Sequence, residues 1–183
     1  MKPIKSICVY CGSQVGTDPS FRESAMKVGQ LFAQHDITLV YGGGVTGIMG
    51  TCSLAAREAG GHVIGIIPQF LQEREAQNQG TTHCSEVIVT QTMHERKQLM
   101  FEKSDAFLAL PGGIGTLEEV VEILTWAQIG RHTKPVGLLN INGFWNPLLD
   151  LFDHMKSQGF IHSATQFNPR VIKDAQSVVE DMM

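Results

Sequence analysis

The sequence predicts an α/β fold: a single Rossmann-like domain over residues 1–183, built on a parallel sheet with helices on both faces. Two observations carry this reading. Short apolar runs alternate with amphipathic stretches along the whole chain, and strands that are apolar at nearly every position belong to sheets covered on both sides. Glycine-bearing turns follow three of those runs, at Cys11-Gly12-Ser13, Gly42-Gly43-Gly44 and Pro111-Gly112-Gly113. In a parallel sheet all three would stand on one rim, beyond the carboxyl ends of the strands, where ligands bind.

The elements follow in order. Ile4–Tyr10 reads as a strand and Pro19–Gln34 as a helix. Ile37–Tyr41 is a strand, and Thr46–Ala59 a helix ended by Gly60-Gly61. His62–Ile67 is a strand stopped by Pro68, and a polar, glutamine-rich segment, Gln69–Cys84, is expected to be irregular. Glu86–Thr90, Asp105–Leu110 and Pro135–Asn140 are strands, each followed by a helix: Met93–Lys103, Thr116–Ile129 and Trp145–Gln158. A strand near Arg170–Lys173 and a terminal helix complete the chain. There is no internal repeat and no linker.

Composition narrows the function. A chain of 183 residues can bury about 70% of its unfolded surface as one domain. Net charge is −4, with no run of Lys or Arg. Duplex nucleic acid, which demands many phosphate contacts, is therefore not expected as a partner. No apolar run approaches the roughly 20 residues of a membrane span. The N-terminal stretch reads as a strand rather than a signal peptide, so the expected location is cytoplasmic. A small anion remains open as ligand, held by local amides and one or two cations.

Cys8 and Cys11 form C-x-x-C, but no second pair with zinc-site spacing exists, and the seven histidines show no ligand spacing either. No metal is expected. Cys8 lies within the first strand rather than at a helix start, so buried, reduced thiols are the expectation.

Gly42-Gly43-Gly44-Val45-Thr46-Gly47 satisfies G-x-G-x-x-G, a weak signal alone. It fits either a phosphate approach by backbone amides or a tight turn with close helix contact. The dinucleotide version wants an acidic residue at the end of the next strand, and Ile66-Ile67-Pro68-Gln69 has none. A nicotinamide-dependent oxidoreductase is disfavoured accordingly. Pro111 through Glu119 is more informative. Amides of Gly113, Gly115 and Thr116, with the Thr116 hydroxyl, can form a phosphate nest at a helix start. No Lys-Ser/Thr follows these glycines, so ATP hydrolysis is not indicated.

Glu118, Glu119 and Glu122 crowd the same helix. Thr116 and Glu119 have the spacing of a capping box, so capping and catalysis both fit Glu119. The helix end should keep Glu119 ionised, suited to stabilising a cation or activating water. On the preceding helix Thr92 and Glu95 also have capping-box spacing. Arg96 and Lys97 one turn in are unfavourable for the macrodipole, which an anionic ligand at the rim would explain. Met93 stands at that rim, as do Ser13, Gly43 and Gly44.

Met93-x-x-Arg96-Lys97 and Pro111-Gly112-Gly113-x-Gly115-Thr116-x-x-Glu119 closely resemble the signature of the LOG ("Lonely Guy") family, cytokinin riboside 5′-monophosphate phosphoribohydrolases. The resemblance extends over nearly the whole chain, including Cys11-Gly12-Ser13, Tyr41–Gly50, Val63–Pro68, Thr125-Trp126 and Asn142-Gly143-Phe144. It implies hydrolysis of AMP or an N6-substituted AMP to free base and ribose 5-phosphate, without a cofactor. It implies Arg96 and Glu119 as the catalytic pair. It also implies Gly113, Ile114, Gly115, Thr116, Leu117, Glu118 and Glu119 as the phosphate and ribose loop, with Lys97 beside it. Thr125 matches a further ligand contact, and Glu75 is the candidate for a glutamate that touches ligand from the segment after the third strand. Glu122, on the same helix as the catalytic glutamate, completes the candidate set. Members of this length resemble homodimers, which fits Trp126 and Ile129 on one helix. A non-catalytic nucleotide carrier of the same fold is the alternative. Such proteins have also been labelled lysine decarboxylases, a reaction that uses pyridoxal phosphate on a lysine; no Schiff-base motif is evident here.

Overall fold

β1 (Ser6–Tyr10) shows why the sheet needs cover on both sides. Ile7 and Val9 face one layer, Cys8 and Tyr10 the other, and none is more than 4% exposed. In this computed structural model, which describes residues 3–76, 83–161 and 168–183, six further strands join it. They are β2 (Thr38–Tyr41), β3 (Val63–Pro68), β4 (Glu86–Thr90), β5 (Ala106–Ala109), β6 (Val136–Leu139) and β7 (Arg170–Ile172). All pair in parallel, in the order β4-β3-β2-β1-β5-β6-β7. Ile7 lies opposite Leu39 on one side and Ala106 on the other.

The helices divide between the two faces. α1 (Pro19–Gln34), α2 (Gly47–Glu58) and the terminal α7 (Val178–Met182) cover the Ile7–Val9 face, through Val28, Phe32, Ile48, Cys52 and Val178. α4 (Met93–Glu102), α5 (Ile114–Gln128) and α6 (Asn146–Ser157) cover the opposite face, where Met100, Val120, Ile123, Leu124 and Phe152 meet Tyr10 and Phe107. Pro19 at the first turn of α1 and the Asp18 carboxylate accepting from Ser20 N at 2.9 Å explain its sharp start. Asn142 donates to the same carboxylate at 2.8 Å, tying the turn after β6 to α1.

The order places a switch point between β1 and β5. From β1 the chain winds towards β4, and from β5 it winds towards β7. The two loops leaving these strands diverge, yet Gly12 N donates to Pro111 O at 3.1 Å, so their first residues form one floor.

The expected irregular segment Gln69–Cys84 is corrected in its first half: Gln69–Ala76 is helix α3. Its sequence, QFLQEREA, is rich in helix formers but carries no apolar stripe, so periodicity could not reveal it. Thr116 does not cap α5. That helix starts at Ile114, with Gly113 at the cap position, and Thr116 is buried one turn inside. The Thr92 box does form: Thr92 Oγ1 accepts from Glu95 N at 3.1 Å, and Glu95 Oε2 accepts from Gln91 N at 2.8 Å.

Cys8 and Cys11 are free and face opposite layers of the sheet. Burial pushes both thiols up, which leaves them inert. Among the described residues no cluster of side chains could hold a metal ion, and no helix is long and apolar enough to cross a membrane.

Candidate functional site

Crossovers in a parallel sheet bring helix N-termini to the rim where strands end. α4 and α5 therefore both start there, and both lie on the Tyr10 face. Arg96 reaches from α4 over the ends of β2 and β3. Its Nε donates to Ile66 O at 3.1 Å, and its Nη2 lies 3.5 Å from Gly42 O and 3.8 Å from Glu119 Oε1 on α5. Met93 Sδ lies 3.9 Å from Nη1. The side chains of Arg96 and Glu119 are 11% and 13% exposed. Gly42 has to be glycine for this to happen, because a Cβ there would occupy the place of the guanidinium.

The helix end does not keep Glu119 ionised as the sequence led us to expect. Burial raises its pKa to about 7, opposed by Arg96 and assisted by Glu118, with smaller effects of Lys97 and Glu122. It lies in the second turn of a helix that begins at Ile114, beyond the reach of the terminal dipole, so desolvation prevails. Both protonation states are accessible near neutrality, the condition that suits a general acid or base.

Lys97 lies next to Arg96 in sequence but faces elsewhere. Its Nζ donates to Glu118 Oε1 at 2.7 Å and Glu122 Oε1 at 3.0 Å. Burial alone would lower its pKa; the two glutamates outweigh that and hold it above its ordinary value.

The start of α5 is open. No side chain caps it, Gly113, Ile114 and Gly115 are exposed, and Ile114 is 83% exposed. A Cβ added at Gly113 or Gly115 would meet nothing within 4 Å, so no contact inside the protein demands glycine there. The G-x-G-x-x-G loop behaves otherwise. At the start of α2, Ile48 N donates to Gln14 O at 3.4 Å and Met49 N to Gly12 O at 3.2 Å. Gly43 and Gly44 are buried, and Gly47, at φ +62°, lies against Ser13's carbonyl. This loop's amides hold the neighbouring loop, so of the two glycine loops only that of α5 leaves its helix start free for an anion.

Of the remaining predicted residues, Ser13 is exposed at the rim and Leu117 is half-buried. Thr125 is exposed and donates to Val121 O at 2.7 Å; at 1.5 Å per residue it lies about 16 Å along α5 from Ile114. Glu75 falls on α3, and its side chain lies outside the described residues. Sequence reasoning missed the backbone carbonyls of Gly42 and Ile66 that hold Arg96, for which a sequence carries no signal. It also missed Cys8 and Tyr10 beneath Glu119, two groups whose burial shields that carboxyl.

Topology and rim place the chain among Rossmann-type α/β proteins that bind ligand at the switch point. A family profile described as "Possible lysine decarboxylase" matches residues 49–182. A "probable cytokinin riboside 5'-monophosphate phosphoribohydrolase" of Oryza sativa subsp. japonica is 48% identical over 164 residues, covering 90% of this chain and 70% of the relative. A cytokinin riboside 5'-monophosphate phosphoribohydrolase of Arabidopsis thaliana is 47% identical over 176 residues, covering 96% and 78%. The chain belongs to this family, the LOG phosphoribohydrolases.

Solved structures extend the likeness in fold alone. The molybdenum cofactor binding protein of Rippkaea orientalis superposes with a TM-score of 0.70 at 24% identity, covering 98% of this chain and 96% of that one. The molybdenum cofactor carrier protein of Chlamydomonas reinhardtii gives 0.72 at 23%, covering 97% and 95%. Among the described residues the decarboxylase wording of the profile finds no lysine suited to it at the rim. A Schiff-base lysine needs a lowered pKa, and Lys97 is held high between two carboxylates.

Proposed function

We propose that the chain hydrolyses the N-glycosidic bond of AMP or an N6-substituted AMP, the cytokinin riboside 5′-monophosphates, giving free base and ribose 5-phosphate. The observation that carries this is the buried Arg96–Glu119 pair beside an uncapped, exposed helix start. The 5′-phosphate sits on the amides of Gly113, Ile114, Gly115 and Thr116, where the helix end favours an anion. That anchor lies away from the reacting carbon, so its binding energy orients the ribose for the chemical step.

Cleavage builds positive charge at C1′. The Glu119 carboxylate faces that carbon, stabilises the charge, and takes a proton from the attacking water. A pKa near 7 makes it a stronger base than an ordinary glutamate. The proton lost by water returns to the departing base nitrogen through solvent. Arg96, fixed by Ile66 O, holds Glu119 and the sugar phosphate in register. Ser13, Gly43, Gly44, Met93 and Leu117 line the approach, and no metal or cofactor takes part.

A homodimer in the cytoplasm completes the proposal. Ile114 and Val121 on α5 and Ile129 just past its end are 83%, 40% and 70% exposed, which supports a second copy against this helix. Thr125, too far along α5 for the phosphate of its own chain, would then serve the other copy's site. Incubation with AMP and with isopentenyl-AMP, assaying free base and ribose 5-phosphate, tests the reaction. Binding of either nucleotide without release of base would favour a carrier instead.

A further inference from the structure

Lys97 has side chain exposure of only 14%, yet it forms no ion pair with Glu119; its ammonium is spent on Glu118 and Glu122. Two contacts from one ammonium, at 2.7 and 3.0 Å, cross from α4 to α5 one residue beyond Arg96 and to either side of Glu119 in sequence. α4 and α5 belong to different crossovers, and each carries one half of the catalytic pair, so whatever sets their spacing sets the 3.8 Å between Nη2 and Oε1.

We propose that Lys97 is a positioning residue: it fastens α4 to α5 and balances Glu118 and Glu122, fixing the charge around Glu119 from outside the substrate seat. This rests on the reading of Glu119 as the catalytic carboxyl, and it assigns Lys97 to the carboxylates rather than to the phosphate. The groups facing Glu119 are few. From α4 come Arg96 and Lys97, from α5 Glu118 and Glu122, and from β1 the neutral Cys8 and Tyr10. One lysine against two glutamates leaves this cluster with a single net negative charge. Removing the lysine makes it two, which opposes ionisation of Glu119. Removing both glutamates makes it one positive charge, which favours it.

The test is a ¹³C NMR titration of the Glu119 carboxyl, alongside the pH profile of turnover, in wild type, Lys97→Met, Glu118→Gln/Glu122→Gln and Lys97→Arg. The midpoint and the Glu119 limb of the profile are expected to rise by about half a unit or more in Lys97→Met. They should fall in the double variant and return to the wild-type position in Lys97→Arg. A merely structural lysine would lower activity at all pH values without opposed shifts. Unmoved midpoints, with a raised KM for AMP and unchanged kinetics for adenosine in Lys97→Met, would assign Lys97 to the phosphate and overturn the proposal. Glu118 is 54% exposed, so Glu118→Gln alone is expected to fold and gives the downward shift independently. Opposed shifts by NMR together with full turnover in Glu119→Gln would uphold the cluster while rejecting the role of Glu119 itself.

Discussion

Arg96 Nη2 and Glu119 Oε1 face each other at 3.8 Å across two helices, longer than a tight ion pair and almost out of water. The guanidinium is held by Ile66 O and Gly42 O, so it does not need the carboxylate to keep its place. Glu119 is left with a charged neighbour, a raised pKa and lone pairs free for water or ribose.

Glu119→Ala or Glu119→Gln should therefore lower turnover of AMP about 10²- to 10⁴-fold while nucleotide affinity changes little. Isothermal titration beside steady-state kinetics checks this. A parallel loss of affinity and rate would mean that the residue serves binding.

Removal of the 5′-phosphate deletes the proposed anchor on α5 without touching the scissile bond. Adenosine is expected to react with kcat/KM at least about 10²-fold below AMP. Equal turnover of the two would refute the phosphate seat.

Gly115→Ala separates stability from ligand binding. A Cβ at this position meets nothing within 4 Å, and alanine is the better helix former, so the variant should gain about 0.5–1 kcal/mol. The same methyl would intrude between the amides and a phosphate. Thermal melts and KM for AMP should move apart: stability unchanged or higher, KM about tenfold higher or more.

Glu119 also marks the pH dependence of stability. The unfolded chain releases this proton near 4.5, the folded chain near 7. Between those values the native state binds more protons, so stability falls as pH rises through the window. The contribution is complete below about 4.5, and its loss by pH 8 is on the order of 3 kcal/mol. Glu119→Gln, which stays neutral, should match wild type near pH 4 and exceed it near pH 8 in denaturant unfolding. A constant difference across that range would contradict the assigned burial.

Much of the architecture was legible. Pro19–Gln34 and Glu86–Thr90 fall where the pattern put them, because proline, capping residues and apolar periodicity are local signals. α3 was not legible, since polar helix formers without an apolar face resemble a loop. At the site, the two motif segments were visible, but the division of labour within them was not. Arg96 and Lys97 are neighbours in sequence that point to different carboxylates, and only the arrangement of α4 against α5 separates them.

The order of apolar runs and glycine turns by itself determined a parallel sheet with glycine turns gathered on one rim, since apolar patterning and backbone freedom are properties of short segments. Tertiary structure alone decided the state of Glu119. Two helices from separate crossovers, closing over Tyr10 and Cys8, take its carboxyl out of water, and desolvation of that kind depends on distant segments meeting.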